Sequence, residues 1–475
     1  MHLQGFQDTI CAPATVPGTG AITVIRLGGP QAFSVADRVF RGRRGRVADA
    51  AGNSILFGAV VDFTAEASDE VRILDEVLVS VFRAPHSYTG EDSVEFSCHA
   101  SAYIASRLLE LLCAAGARLA EPGEFTRRAF LNGKMDLAQA EAVADVISSS
   151  SSASHRVAMT QLKGGYSAEL ASIREALVEL TSLLELELDF SEEEVEFADR
   201  SRLRSLLVLA SSRVRSLAES FHLGNALKTG VPVAIVGEPN VGKSTLLNAL
   251  VGDDRALVSD IAGTTRDSIE ATMVLEGIPF RFIDTAGLHE STEVVERMGM
   301  ERTWKMLAGA DIVLTMIDAT GSFSASRELL QALAARIDFS CQSWVVLVNK
   351  IDCNKNVNDI NSFVSSIDSR VVTIPISALT GAGLPELRSR LVSLVQARFA
   401  GSGSSILVTN ARHHEALRAS AEALEAALSG LDAGTPSDLV AQDLRAALYQ
   451  LGTITGAITT DEILGQIFSR FCIGK

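Results

Sequence analysis

PVAIVGEPNVGKSTLLNAL, residues 232–250, reads as an apolar strand that breaks at a glycine, crosses a polar loop and enters a helix. Within it Gly237 to Ser244 spell GxxxxGK[ST], and the strand before and helix after are the context that makes this spacing a phosphate-binding loop. Its glycines let backbone N–H groups converge on phosphate oxygens. Lys243 can reach the β and γ phosphates, and the Ser244 hydroxyl can ligate Mg²⁺. Outward from this loop, to about residue 398, the strand-like segments PVAIVG, ADIVLTMID, SWVVLVNK and RVVTIPIS alternate with helical ones. That alternation predicts a doubly wound α/β sheet.

Three further motifs sit where such a sheet presents its loops. DTAG begins at Asp284, after the strand PFRFI, and can hold Mg²⁺ through water while Gly287 senses the γ phosphate. NKID, Asn349 to Asp352, follows another apolar strand. A carboxylate at Asp352 can accept from both N1–H and the 2-amino group of guanine, whereas adenine offers neither donor, so the nucleotide expected is GTP. Ser377, Ala378 and Leu379 end the next strand and are placed to buttress the base. GTTRD, from Gly263, supplies the first switch, with Thr264 and Thr265 as hydroxyls for γ phosphate and Mg²⁺. The expected nucleotide contacts are therefore Asn240, Val241, Gly242, Lys243, Ser244 and Thr245; Ser259, Asp260, Ile261, Ala262, Gly263, Thr264 and Thr265; Asp284, Thr285, Ala286 and Gly287; and Asn349, Lys350, Asp352 and Ser377 to Leu379.

One position breaks the pattern. Many such hydrolases place a glutamine after DTAG to orient the attacking water, and here the residue is Leu288. Transition-state charge must then be met by a cation standing where an arginine finger would otherwise be. Asn240, inside the phosphate loop, can contribute an oxygen to a monovalent cation. Glu290, Glu293 and Glu296 are the nearby carboxylates able to steer water, and spacing does not choose among them.

The 475 residues are 47% apolar and 21% charged, enough for roughly two to four cored domains. A formal charge of −16 repels polyanions overall, so nucleic-acid contact must come from a local patch or a partner. The densest patch, RGRRGR at 41–46, reads as a solvated loop. The six cysteines are scattered, with no CxxC pair, which suits free thiols in a reducing compartment. No apolar run approaches the roughly 18 residues of a spanning helix, and no secretory leader pattern opens the chain, so a soluble cytoplasmic protein without membrane contact is expected.

Residues 1–120 alternate β-rich runs (AITVIRL, DEVLVSVF) with glycine and proline turns and a helical run near 101–115, predicting a mixed α/β domain. From 121 the texture is helical. Asp136 and Gln139 stand at N-cap and N3 spacing, and leucines and glutamates continue through 169–189. After 399 it is helical again, so an α/β domain (229–398) interrupts a helical one (121–228 and 399–475), with LGNALKTG and AGSGSS as polar junctions.

Beyond the nucleotide motifs, the phrases DTICAPAT (8–15), SYTGED (87–92), EPGEFTRRAFLNGKMDLAQAEAVADVI (121–147) and the terminal FCIGK (471–475) resemble the MnmE (TrmE) family of tRNA-modification GTPases over nearly the whole chain. The resemblance implies an N-terminal domain that dimerises and binds 5-formyltetrahydrofolate or a related folate, at Arg26, Glu95, Lys134 and Lys475. It implies K⁺ held by Asn240 with Ser259, Ile261 and Thr264 between two facing G domains. It also singles out Glu296 as the water-orienting glutamate. Ser259 and His289 are mild departures from relatives that often carry threonine and arginine there. With a flavin-dependent partner, MnmG, in a heterotetramer, such proteins add an aminomethyl or carboxymethylaminomethyl group at C5 of the wobble uridine (U34) of certain tRNAs. Cys472 is the thiol to suspect of covalent chemistry. No GxGxxG follows a strand, so redox chemistry belongs to the partner. The alternative is a ribosome-assembly or regulatory GTPase without modification chemistry; the ribosome-assembly form predicts an RNA-binding module after the G domain, and none is visible.

Overall fold

A computed structural model describes residues 7–18, 20–64, 72–189, 200–252, 270–284, 304, 306–321, 323–353, 358–401, 406–469, 471 and 474. The chain divides into two compact units. The first comprises 1–144, 162–171 and 448–475, and the second comprises 145–161 and 172–447.

In the first unit β1 (Ile10–Pro13), β2 (Ile22–Gly28), β3 (Phe40–Gly42), β4 (Ser54–Val61), β5 (Ile73–Phe82), β6 (Ser93–His99) and β7 (Arg118–Leu119) form one sheet in the order β3-β4-β5-β6-β2-β1-β7. Only the β1–β7 pair is parallel. The β-rich runs read in this region are strands: Val77, Val79 and Val81 of β5 face a core with α1 (Ala32–Val39) and α2 (Ala102–Ala114). The helical texture then begins with α3 (Glu124–Leu131) and α4 (Leu137–Ser148). Asp136 and Gln139 form the expected reciprocal cap, with the Gln139 N–H donating to Asp136 Oδ1 at 2.8 Å and the Asp136 N–H to Gln139 Oε1 at 3.0 Å.

The second unit contains α5 (Ser152–Leu162), α7 (Arg200–Glu219), α8 (Phe221–Thr229) and the second sheet, and α6 (Gly165–Asp189) belongs to it from Ser172 onward. The sheet is β8 (Val231–Gly237), β9 (Glu270–Leu275), β10 (Ile278–Asp284), β11 (Ile312–Asp318), β12 (Ser343–Asn349) and β13 (Val372–Pro375), in the order β13-β12-β11-β8-β10-β9. Every pair is parallel except β9–β10. Crossover helices α9 (Lys243–Gly252), α10 (Phe323–Ala334), α11 (Asn358–Ile367) and α12 (Leu384–Gly401) accompany it, with apolar clusters on both faces. After them come α13 (Ala411–Asp432), α14 (Ser437–Thr455) and α15 (Asp461–Phe468), the last belonging to the first unit.

One junction differs from its reading. LGNALKTG is not a loop but most of α8. Gly224 is there for close packing, since a Cβ on it would lie 2.1 Å from the Val408 carbonyl oxygen.

Candidate functional site

β8 ends at Gly237, and the chain turns through Glu238, Pro239 and Asn240 into α9. Asn240 is exposed with φ +59°, and Gly242 has φ +103°, conformations in which consecutive N–H groups can point into one cradle. Two glycines are required on steric grounds. A Cβ at Gly237 would lie 2.6 Å from the Met316 carbonyl oxygen, and one at Gly242 would lie 2.5 Å from Asn349 Nδ2. Lys243 is buried, and its Nζ donates to the carbonyls of Gly237 (2.7 Å) and Glu238 (2.8 Å), so the ammonium is folded over the loop. Val241 is buried, while Ser244 and Thr245 are exposed at the helix start, which leaves the Ser244 hydroxyl accessible to a hydrated divalent ion.

The base-recognition motifs come to the same place from β12 and the loop after β13. Asn349 is the tie: its Nδ2 donates to the Val241 carbonyl (2.7 Å), and its Oδ1 accepts from the Ala378 N–H (2.9 Å). Burial of Asn349 makes both bonds costly to lose. Lys350 takes φ +65° and pairs with Asp318 Oδ2 at 2.6 Å. Asp352 is exposed, and a hydrogen bond from Ser377 followed by one from Cys353 holds its carboxyl below the usual range, so it is ionised at neutral pH. Ser377 and Ala378 are buried and Leu379 is 81% exposed, as an edge against which a flat ligand can rest. Asp318 and Cys353 were not singled out by motif; Asp318 ends its strand at the register point opposite Asn349.

Asp284 closes β10 beside Ile235 of β8. Its side chain, Ser259 to Thr265, Thr285, Ala286, Gly287, Leu288, His289, Glu290, Glu293, Glu296, Cys472 and Lys475 lie outside the described residues.

A second constellation sits on the seven-stranded sheet. Arg26 of β2 and Glu95 of β6 are direct cross-strand partners, and Arg26 Nε and Nη2 both reach Glu95 Oε1 at 2.9 Å. The guanidinium lies 5.4 Å from the Tyr88 ring centre and 5.5 Å from that of Phe125. Burial pushes the Tyr88 phenol up despite its bond to Thr126. Arg26 Nη1 also donates to the Gly474 carbonyl at 3.3 Å. Gly474 has φ +93°, and a Cβ there would lie 1.9 Å from the Pro13 carbonyl oxygen, so the chain can approach only as glycine. Lys134 Nζ donates to the Pro85 carbonyl at 2.9 Å, in the loop that carries Tyr88. Tyr88 and Phe125 lie inside the SYTGED and EPGEF phrases, which gave no sign of which ring would cover the arginine.

Behind it is a charge network. Arg128 is fully buried and reaches Asp8 Oδ1 (2.8 Å), Glu124 Oε1 (2.9 Å) and Glu91 Oε1 (3.4 Å). Burial alone would raise the carboxyls of Asp8 and Glu124, but Arg118 and Arg128 outweigh it and hold both low. Glu91 goes the other way, because burial outweighs its single long contact to Arg128.

A mostly parallel sheet carrying a phosphate loop tied to a guanine-type recognition loop defines a P-loop GTPase. Comparison with known proteins sharpens that class. The model for the GTP-binding protein TrmE N-terminus matches residues 9–134, and the model for the MnmE helical domain matches 137–472. The tRNA modification GTPase MnmE of Cytophaga hutchinsonii is 48% identical over 468 residues, covering 98% of each chain. That of Bacteroides fragilis is 47% identical over 474 residues, covering 99% of this chain and 100% of the relative. Among solved structures, Era in complex with MgGDPNP and nucleotides 1506–1542 of 16S ribosomal RNA shares 31% identity over 40% of this chain and 65% of its own, with a TM-score of 0.28, too low to bear on function. The chain belongs to the MnmE family of tRNA modification GTPases. It is a GTP hydrolase built from a mixed α/β N-terminal domain, a helical domain and a P-loop G domain. Among the described residues no helix is long and apolar enough to cross a membrane.

Proposed function

We propose that this protein, with a flavin-dependent partner of the MnmG type, adds an aminomethyl or carboxymethylaminomethyl group at C5 of the wobble uridine of certain tRNAs, using GTP hydrolysis to drive the cycle. The observation that supports the nucleotide half is the Asn349 amide, which ties the phosphate loop to the base loop; on this reading Lys243 and the ionised Asp352 serve the two ends of one GTP. The tRNA half rests on family membership over 98% of the chain. The expected result of incubating the protein and its partner with unmodified tRNA is new mass at C5 of the wobble uridine. An unmodified nucleoside after turnover would leave a GTPase of the assembly or regulatory kind.

Ser244 and Thr265 are the proposed Mg²⁺ ligands. Asn240, exposed at the loop tip, is proposed to hold K⁺ with Ser259, Ile261 and Thr264, and Glu296 to orient water. Bound there, the alkali ion supplies the positive charge that Leu288 and its neighbours lack. Turnover in KCl should exceed that in NaCl, and equal rates would remove the K⁺ reading.

The Arg26–Glu95 pair offers a donor and an acceptor beside two aromatic rings, chemistry suited to the flat, polar pterin of a formyltetrahydrofolate, with Lys134 and Lys475 for its acidic tail. A role for Cys472 rests on the family pattern alone. The proposed division is 1–120, 121–228, 229–398 and 399–475, in a cytoplasmic homodimer that joins the partner as a heterotetramer.

A further inference from the structure

The arginine-rich stretch 41–46 is exposed, as its composition suggests, but its backbone is fixed. Arg41 and Gly42 belong to β3, the sheet's edge, and the turn after them is pinned by backbone approaches too close for side chains. A Cβ on Gly42 would lie 2.3 Å from the Gly45 carbonyl oxygen, and one on Gly58 of the neighbouring strand 2.2 Å from that of Arg41. The Arg43 N–H donates to the Phe57 carbonyl at 3.0 Å, and Gly45 turns with φ +123°. The backbone is therefore held while Arg41, Arg43, Arg44 and Arg46 all project exposed from it.

Their local partners leave positive charge over. Arg41 Nη1 is turned to carbonyls at the end of α1, which are not anions. Arg46 pairs with Asp37, but that carboxylate is 6% exposed and already accepts the Val47 and Ala48 N–H groups. Arg43 pairs with Glu76, both more than half exposed, a pairing worth little in water. Arg43 also lies 4.6 Å over the ring of Phe57, itself 41% exposed. The result is four guanidinium groups against two carboxylates on a fixed turn, beside a cation-covered aromatic face, in a chain whose formal charge is −16.

We propose that this turn is a contact surface for the sugar-phosphate backbone of RNA, with the Arg43–Phe57 lamina a platform for an unpaired base. Guanidinium groups bind phosphate bidentately, and stacked arginine and aromatic planes receive splayed bases. The inference rests on the tRNA reading above, which makes RNA the polyanion this chain must meet.

The test uses the full chain and an unmodified tRNA transcript, with affinity measured by fluorescence anisotropy across a salt series. The variant R43Q/R44Q/R46Q should bind about tenfold or more weakly at low salt, with a log–log salt slope shallower by about two to three, one for each phosphate left without its arginine. Its RNA-free GTP turnover and melting temperature should match wild type. The control R202Q/R204Q/R418Q, which changes the charge equally at exposed positions elsewhere, should retain wild-type affinity. Unchanged affinity and slope in the first variant would overturn the surface and leave the tRNA reading intact, as would equal losses in both variants. Wild-type chain that binds no tRNA would bring down both. Loss of binding to phosphatidylserine vesicles with tRNA binding unchanged would reassign the turn to membranes and overturn the proposal.

Discussion

The two constellations, one at the loops of the six-stranded sheet and one at Arg26 on the seven-stranded sheet, are built by different chemistry. The first is shaped by backbone: its loop closes around two glycines whose Cβ atoms would collide, at 2.5 and 2.6 Å, with neighbouring strands. Backbone chemistry demands particular residue types at fixed short spacing. The second is assembled from the side chains of Arg26, Tyr88, Glu95 and Phe125 and the Gly474 carbonyl, groups from distant parts of the chain where no short spacing recurs. Spacing alone therefore finds the first constellation, whereas Arg26 and Glu95 of the second came only through family resemblance, and Tyr88 and Phe125 not at all.

If that contrast holds, damage to each should show in a different measurement. The largest effect expected is on the backbone site: Lys243→Ala should slow GTP turnover on the order of 10²–10³-fold, the scale for losing one charge-stabilising donor, with little change in melting temperature. Turnover within a few fold of wild type would mean that Lys243 does not reach the phosphates. Next is Arg128→Met in the N-terminal network. Removing the fully buried cation of this cluster strands the buried Glu124 and the mostly buried Glu91 and should cost about 3–5 kcal/mol in urea unfolding of that unit, while the GTP turnover of surviving folded protein stays near wild type. A stability loss below about 1 kcal/mol would show the network to be dispensable.

Gly242→Ala should weaken GTP binding about tenfold or more, because the added methyl group displaces the Asn349 amide and strands its two buried bonds. Nucleotide titration by calorimetry reads this directly. Arg26→Gln, by contrast, should leave GTP affinity untouched and abolish measurable folate binding; the reverse pattern would dissolve the distinction between the sites.

The smallest effect concerns pH. Asp8 and Glu124 titrate lower in the fold than unfolded, so their contribution is present above the ordinary carboxyl pKa, about 4, and is lost as pH falls through the folded values. Glu91 titrates higher in the fold, so its ionisation subtracts stability as pH rises past about 4.3 and the penalty is complete at neutral pH. Glu91→Gln should therefore raise the melting temperature slightly at pH 7 and leave it unchanged below about pH 4. A decrease at pH 7 would mean that the Arg128 contact outweighs burial.

Much of the fold was legible. β-rich runs between glycine and proline turns marked the N-terminal strands, apolar runs marked β8, β11 and β12, and Asp136 with Gln139 marked a helix start that is capped as written. Local composition does not record packing. Gly224 looked like a linker glycine and is a close approach inside a helix, and the stretch 41–46 is exposed as read, but its glycine and that of the neighbouring strand pin it in a way composition did not show. Tyr88 and Phe125 escaped notice for the same reason, since an aromatic residue in a loop phrase carries no mark of which cation it will cover.

By itself the sequence determined the phosphate loop, the guanine-type motif and the order of strands and helices around them, because those depend on residue type at short range. Tertiary structure alone decided that Asn349 would bridge Val241 and Ala378, that Arg26 would face Glu95 in register and meet Gly474, and that Arg128 would be buried with its carboxylates. These pairings join residues mostly tens to hundreds of positions apart, and their energy comes from burial and geometry that exist only once the chain has folded.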